Sequence, residues 1–272
     1  MYTYNDHWLA HHGIIGQKWG VRNGPPYPLG SDVSTGSRLK SGASGSSVKT
    51  NQSTVKTNRK IKAAVNSGIG LKTKTREYTM DEDIAAVNPK YNPKVHDWEQ
   101  PEWHTNCCYC TTAYEMRRRG YDVKAKPRSD DEKYHELTDW MYHPNEAMFN
   151  FTDDKVTKGF GVNEDLDINP RKSPVPKSKV NEIIDQANEY INKLPDGARG
   201  FLTCDWYCGG GHSLSFERVG NKVYVIDPQS NDKWDMTKFA KEADYASYIG
   251  CIWVTRVDDV DVIPGKIKGA CS

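Results

Sequence analysis

Two periodicities follow one another in the final third of this chain, and their order is what most limits its fold. Lys177 to Leu194 places Val180, Ile183, Ile184, Ala187, Ile191 and Leu194 at helical spacing, and Pro195-Asp196-Gly197 stops the pattern. The spacing then becomes alternating. Arg199 to Cys204, His212 to Arg218, Lys222 to Asp227 and Tyr248 to Val257 are expected as four strands, with Met236 to Ala243 a short helix before the last. Helices first and closely linked strands later predict an α+β domain with an antiparallel sheet, not alternating βαβ units.

Upstream, Asn106 is a good N-cap, and Cys107 to Arg119 contains no Pro or Gly before Gly120. This helix should be amphipathic through Cys110, Ala113, Tyr114 and Arg117, with Arg117 to Arg119 solvating its end, where the dipole favours cations. A shorter helix should begin at Met80 and end before Asn88-Pro89. Asn92 to Thr105, rich in Pro and Trp, reads as an irregular wrap, and Tyr121 to Ala125 as a short strand. Asp130 to Pro176 is polar and poorly periodic, with one helix expected at 132–141.

Charge divides the chain. Residues 1–76 hold twelve Lys/Arg against two Asp, a surplus of +10, so with +1 overall residues 77–272 carry −9. From Gly24 to Arg59 there is almost nothing to bury. The expected organisation is a leader at 1–23, a flexible basic linker at 24–77, a folded domain at 78–257 and a tail at 258–272. No apolar run approaches the ~18 to 20 residues that cross a bilayer, and Met1 to Gly20 lacks a secretory core. No membrane partner is expected. The arm lacks interleaved aromatics, so its contact with nucleic acid should be at most non-specific.

Three short stretches carry chemistry: Asn106-Cys107, Gly211-His212 and Asp227-Pro228-Gln229. They supply a thiol nucleophile, a base and an orienting carboxylate, the parts that attack an amide through a thioester. Cys107 falls in the first turn of its helix, where unpaired N–H groups and the dipole lower a thiol's pKa and can hold an oxyanion. If Gly220-Asn221 is a two-residue turn, Val219 pairs with Lys222, and His212 and Asp227 share one sheet face on a diagonal. A slip of one residue would separate them. Gln229, Gln100 and Asn106 are candidate donors to an oxyanion or to substrate.

Asn106-Cys107-x-x-Cys110, Ala113-Tyr114-Glu115 and Arg117-Arg118-Arg119-Gly120-Tyr121-Asp122-Val123 resemble the papain-fold toxin family associated with glutamine deamidase activity. Gly211-His212 and Val225-Ile226-Asp227-Pro228-Gln229 match its later motifs in order and spacing. The resemblance covers roughly residues 78–257. It implies a papain-like fold, with an N-terminal helix carrying the nucleophile packed on the antiparallel sheet, and it implies Cys107 as nucleophile, His212 as base and Asp227 as orienter. It also implies a protein substrate and no cofactor. Separately, Trp8 to Arg22 (WLAHHGIIGQKWGVR) is similar to a leader found on head-associated phage and prophage proteins of Gram-positive bacteria. That likeness implies docking to a phage head or portal protein, and a place in the host cytoplasm or the virion.

Other readings use the same residues. Cys107, Cys110, Cys204 and Cys208 are spaced to make a four-thiolate zinc site, with His212 as a substitute ligand, although metal knuckles usually lie in turns. A redox Cys-x-x-Cys pair lacks the preceding strand of a βαβ unit. Peptide or isopeptide hydrolysis would use the same machinery as deamidation, and a virion component with a silent domain would use none of it.

Overall fold

The computed structural model describes residues 69–97, 99–129, 148–150, 158–161, 175–206 and 211–272. The expected leader, most of the expected linker and the helix expected at 132–141 lie outside the described residues. Helices α1 (Met80–Val87), α2 (Pro101–His104) and α3 (Cys107–Arg118) come first, then β1 (Phe149–Asn150), β2 (Lys158–Gly161) and α4 (Lys177–Asn192). Next are β3 (Arg199–Trp206), β4 (Gly211–Val219), β5 (Lys222–Asp227), β6 (Asp232–Asp235) and α5 (Met236–Glu242). A 3-10 turn (Asp244–Tyr248), β7 (Ile249–Arg256), β8 (Asp261–Val262) and α6 (Pro264–Ala270) complete the chain. The architecture is α+β, with one antiparallel sheet in the order β2-β7-β3-β4-β5-β6 and a separate β1-β8 pair.

Alternation along the strands builds two cores. Leu202, Leu214, Phe216 and Val225 cluster with Ile183 and Ile184 of α4 and Phe239 of α5. Phe201 and Ile226, one residue out of step, cluster with Tyr109, Ala113 and Tyr114 of α3. The β4-β5 hairpin has the register that a two-residue turn dictates, running from Val219↔Lys222 to Ser215↔Ile226. Gly220 takes φ 60° at the first turn position, which a side chain would strain.

Several elements differ from expectation. Helix α3 is not one-faced: every residue from Cys107 to Arg117 is buried. Its arginines do not solvate a helix end. Arg117 Nε donates to Asp83 Oδ1 at 3.1 Å, Arg118 grips Glu217 at 2.8 and 3.0 Å, and Arg119 and Arg199 share Glu115. Acidic partners supplied by α1, β4 and α3 itself allow these cations to be buried. Tyr121 to Ala125 forms no strand but two isolated bridges, Thr73↔Tyr121 and Ala125↔Cys271. The packed core therefore includes Ile69, which is buried, and reaches forward through the expected tail. There Ile267, Ala270 and Cys271 pack into the same core as α3.

Candidate functional site

Asp227 ends β5, where Pro228 has no N–H to continue the ladder. The chain turns, so that Gln229 N–H and Ser230 N–H both donate to Asp227 Oδ1, at 3.1 and 3.4 Å. That leaves Oδ2 facing the neighbouring strand. His212 Nε2 meets it at 2.7 Å, and both side chains are buried. Gly211 precedes the histidine for a steric reason. A Cβ there would stand 2.5 Å from the Cys204 carbonyl oxygen across the β3-β4 pairing, closer than real Cβ atoms come.

The imidazole also interacts with the Cys107 side chain at the head of α3. Trp206 stacks against the imidazole with centroids 6.5 Å apart, and Tyr245 stands edge-on at 5.4 Å with its hydroxyl donating to Asp227 Oδ2 at 3.3 Å. The structure thus brings Cys107, His212 and Asp227 together from α3, β4 and β5.

Electrostatics fix the resting protonation. Burial alone would lower the His212 pKa, but the charge and hydrogen bond of Asp227, with a smaller contribution from Cys107, hold it up at about 10. Burial would raise the Asp227 pKa, and His212 with the Gln229 N–H holds it low instead. The thiol departs from expectation. A side-chain hydrogen bond with Cys108, then burial, push the Cys107 pKa well above the usual range, against the pull of His212. The lowering expected from the helix start is outweighed. These influences favour a protonated imidazole beside an ionised carboxylate and oppose ionisation of the thiol.

Two of the three weaker candidates have other employment. Gln229 donates from Nε2 to the His104 carbonyl at 2.8 Å, so it ties the β5 end to α2 and does not offer that bond to an oxyanion. Asn106 sits at the N-cap position without making the side-chain cap; its Nδ2 donates to the Lys126 carbonyl at 3.0 Å and its Oδ1 accepts from the Cys110 thiol at 3.3 Å. Gln100 stands at the head of α2, its side chain making no cap and its carbonyl accepting from Trp103 and His104 N–H. Asn88, read in the sequence only as a helix stop, is the hub: fully buried, its Nδ2 donates to the Trp103 and Gln229 carbonyls at 2.9 and 3.0 Å.

Asn106 accepts Tyr109 N–H and Cys110 N–H at 2.9 and 3.0 Å, which makes Cys107 and Cys108 the first two N–H groups of α3. Such groups have no intrahelical acceptor and are aligned to receive an anion. For the zinc alternative, Cys204 lies within the apolar core cluster and Cys208 outside the described residues. Among the described residues no group of three or more His, Cys, Asp or Glu is arranged to hold a metal ion. Among them, too, no helix is long and apolar enough to cross a membrane.

No protein-family model matches the chain, and no curated protein is similar to it. Among solved structures, the Pseudomonas avirulence protein AvrPphB aligns with 56% of this chain and 90% of its own, at 10% identity and a TM-score of 0.32. A score that low leaves the functional reading to the site's own geometry.

Proposed function

We propose that this chain is a papain-like cysteine hydrolase whose Cys107, His212 and Asp227 act as a triad on a carboxamide. The observation that supports it most is the 2.7 Å bond between His212 and Asp227, with the Cys107 side chain interacting with the same imidazole. Such a set supplies a nucleophile, a proton carrier and an orienting anion.

The reacting form is the thiolate beside the imidazolium, reached when Cys107 ionises. Sγ bonds to the carboxamide carbon, and the oxyanion lies at the first N–H groups of α3. His212 gives its proton to the departing nitrogen as the C–N bond breaks, releasing ammonia and leaving a thioester. Water then loses a proton to His212 and attacks the same carbon, and the C–S bond breaks. Glutamine and water become glutamate and ammonia. The resemblance described above supports glutamine on a protein as the target; peptide or isopeptide hydrolysis follows the same steps with a different leaving amine. The leader's likeness supports an enzyme that travels with phage particles or acts in their bacterial host.

Iodoacetamide labelling with peptide mapping tests the triad. His212→Ala should slow the labelling of Cys107, because the imidazole pulls the thiol's pKa down, and Cys107→Ala should abolish the Gln-to-Glu mass gain in a treated lysate. Cys107 labelling that His212→Ala leaves unchanged refutes the reading.

A further inference from the structure

Tyr245 lies on the 3-10 turn between α5 and β7, far along the chain from all three groups. Its hydroxyl donates to Asp227 Oδ2 at 3.3 Å, the oxygen that His212 Nε2 meets at 2.7 Å. Its ring stands at 78° to the imidazole and packs on Trp206 with centroids 5.4 Å apart. The other carboxylate oxygen is taken by backbone N–H groups. Oδ2 thus serves two donors.

We propose that Tyr245 is a positioning residue of this site: by sharing Oδ2 with His212 it sets how tightly the imidazole holds its proton, while its ring and Trp206 fix the imidazole's plane. A donor to a carboxylate spreads the anion's charge and weakens its hold on a second donor. The phenol remains a donor throughout, because burial and the Asp227 charge push its own pKa well above the usual range. The other groups that bear on the pair are Tyr91, Cys110, Cys204 and Asp232 around Asp227, and Cys107 beside His212. Removing the Tyr245 hydroxyl alters none of them chemically.

The proposal depends on the hydrolase reading for its use but not for its measurement. The His212 ring resonance is titrated by NMR in the full chain, for the natural protein and for Tyr245→Phe. The His212 midpoint should rise by about 0.5 to 1 pH unit, since the carboxylate then serves one side-chain donor. An unchanged midpoint in folded Tyr245→Phe, which keeps the ring, overturns the proposal and leaves only packing. Site-specific 3-fluorotyrosine at position 245, a stronger donor, should move the midpoint down, and it decides the matter if Tyr245→Phe does not fold: no shift or a rise overturns the proposal. Failure of the hydrolase reading is seen separately, as Cys107 alkylation that His212→Ala leaves unchanged.

Discussion

Asp83→Ala should be among the most damaging single substitutions in this protein, although Asp83 touches none of the three reacting side chains. Its carboxylate is fully buried and paired with Lys74, with Arg117 Nε at 3.1 Å and with Arg118 Nη1 at 3.2 Å. At the effective dielectric that suits such sites, each of the two arginine pairs is worth about 5 kcal/mol before desolvation. The alanine variant keeps the cost of burying the cations and loses that return. Relief is partial. Arg118 retains both Glu217 oxygens, Arg117 retains the Val123 carbonyl at 2.9 Å, and Lys74, whose pKa burial already lowers, can shed its proton. The net loss should be about 3 to 5 kcal/mol, as for one partner removed from a buried ion pair.

Urea unfolding followed by tryptophan fluorescence measures it. With a slope near 2 kcal/mol per M, the midpoint should fall by about 1.5 to 2.5 M. Glu189→Ala, which breaks an exposed pair with Lys193, should leave the midpoint where it is. A loss below about 1 kcal/mol for Asp83→Ala would refute the reasoning, because it would mean that the three cations find water without unfolding the junction.

Cys108→Ala removes the largest influence raising the Cys107 pKa, so the pH at which Cys107 begins to react with iodoacetamide should drop; an unchanged profile would show that burial alone sets it. Stability should also carry the mark of His212. Its folded pKa of about 10 lies above the ordinary 6.5, so its contribution is complete below the ordinary value and is lost as pH climbs through the folded one. The natural protein should therefore lose more stability between neutral pH and pH 10 than His212→Gln does, and parallel curves would contradict the ion pair. Gln229→Leu strips the His104 carbonyl of its buried donor and should cost about 1 to 3 kcal/mol by thermal or urea unfolding. Wild-type stability in that variant would show that water replaces the amide.

The hairpin was legible because a two-residue turn leaves no freedom in the pairing, and that alone carried His212 and Asp227 to one face. The strands and helices with clean periods were legible too. Strand β2, with Lys158-Gly159-Phe160-Gly161, and helix α6, with Gly265 and Gly269, lack both the alternation and the helix propensity that pattern reading needs. Trp206 was within reach, since extending the alternation past Leu202 and Cys204 puts it on the His212 side. Asn88 and Tyr245 had no local signal: their partners are 15 to 141 and 18 residues away. Arg117 and Arg119 were misread for the same reason, because their burial depends on acids and carbonyls from distant segments. The thiol's pKa was misjudged because a helix start is visible in sequence, while the hydrogen bond with Cys108 and the burial around it are not.

The stretch from Gly120 to Lys126 is flanked on one side by residues 72–74, through Asp122 N–H to Lys72 O at 2.8 Å and Lys74 N–H to Gly120 O at 2.8 Å. On the other side Lys124 and Ser272 exchange two backbone bonds of 2.8 and 2.9 Å, and Gly70 lies against the Lys268 side chain. The first and last described segments are therefore neighbours in space. A circular permutant that joins Ser272 to Ile69 by a few glycines and opens new ends at the exposed Gly220-Asn221 turn keeps the core contacts of the described residues and should fold. Cargo fused at residue 69 or at residue 272 should also emerge from one and the same side of the described fold.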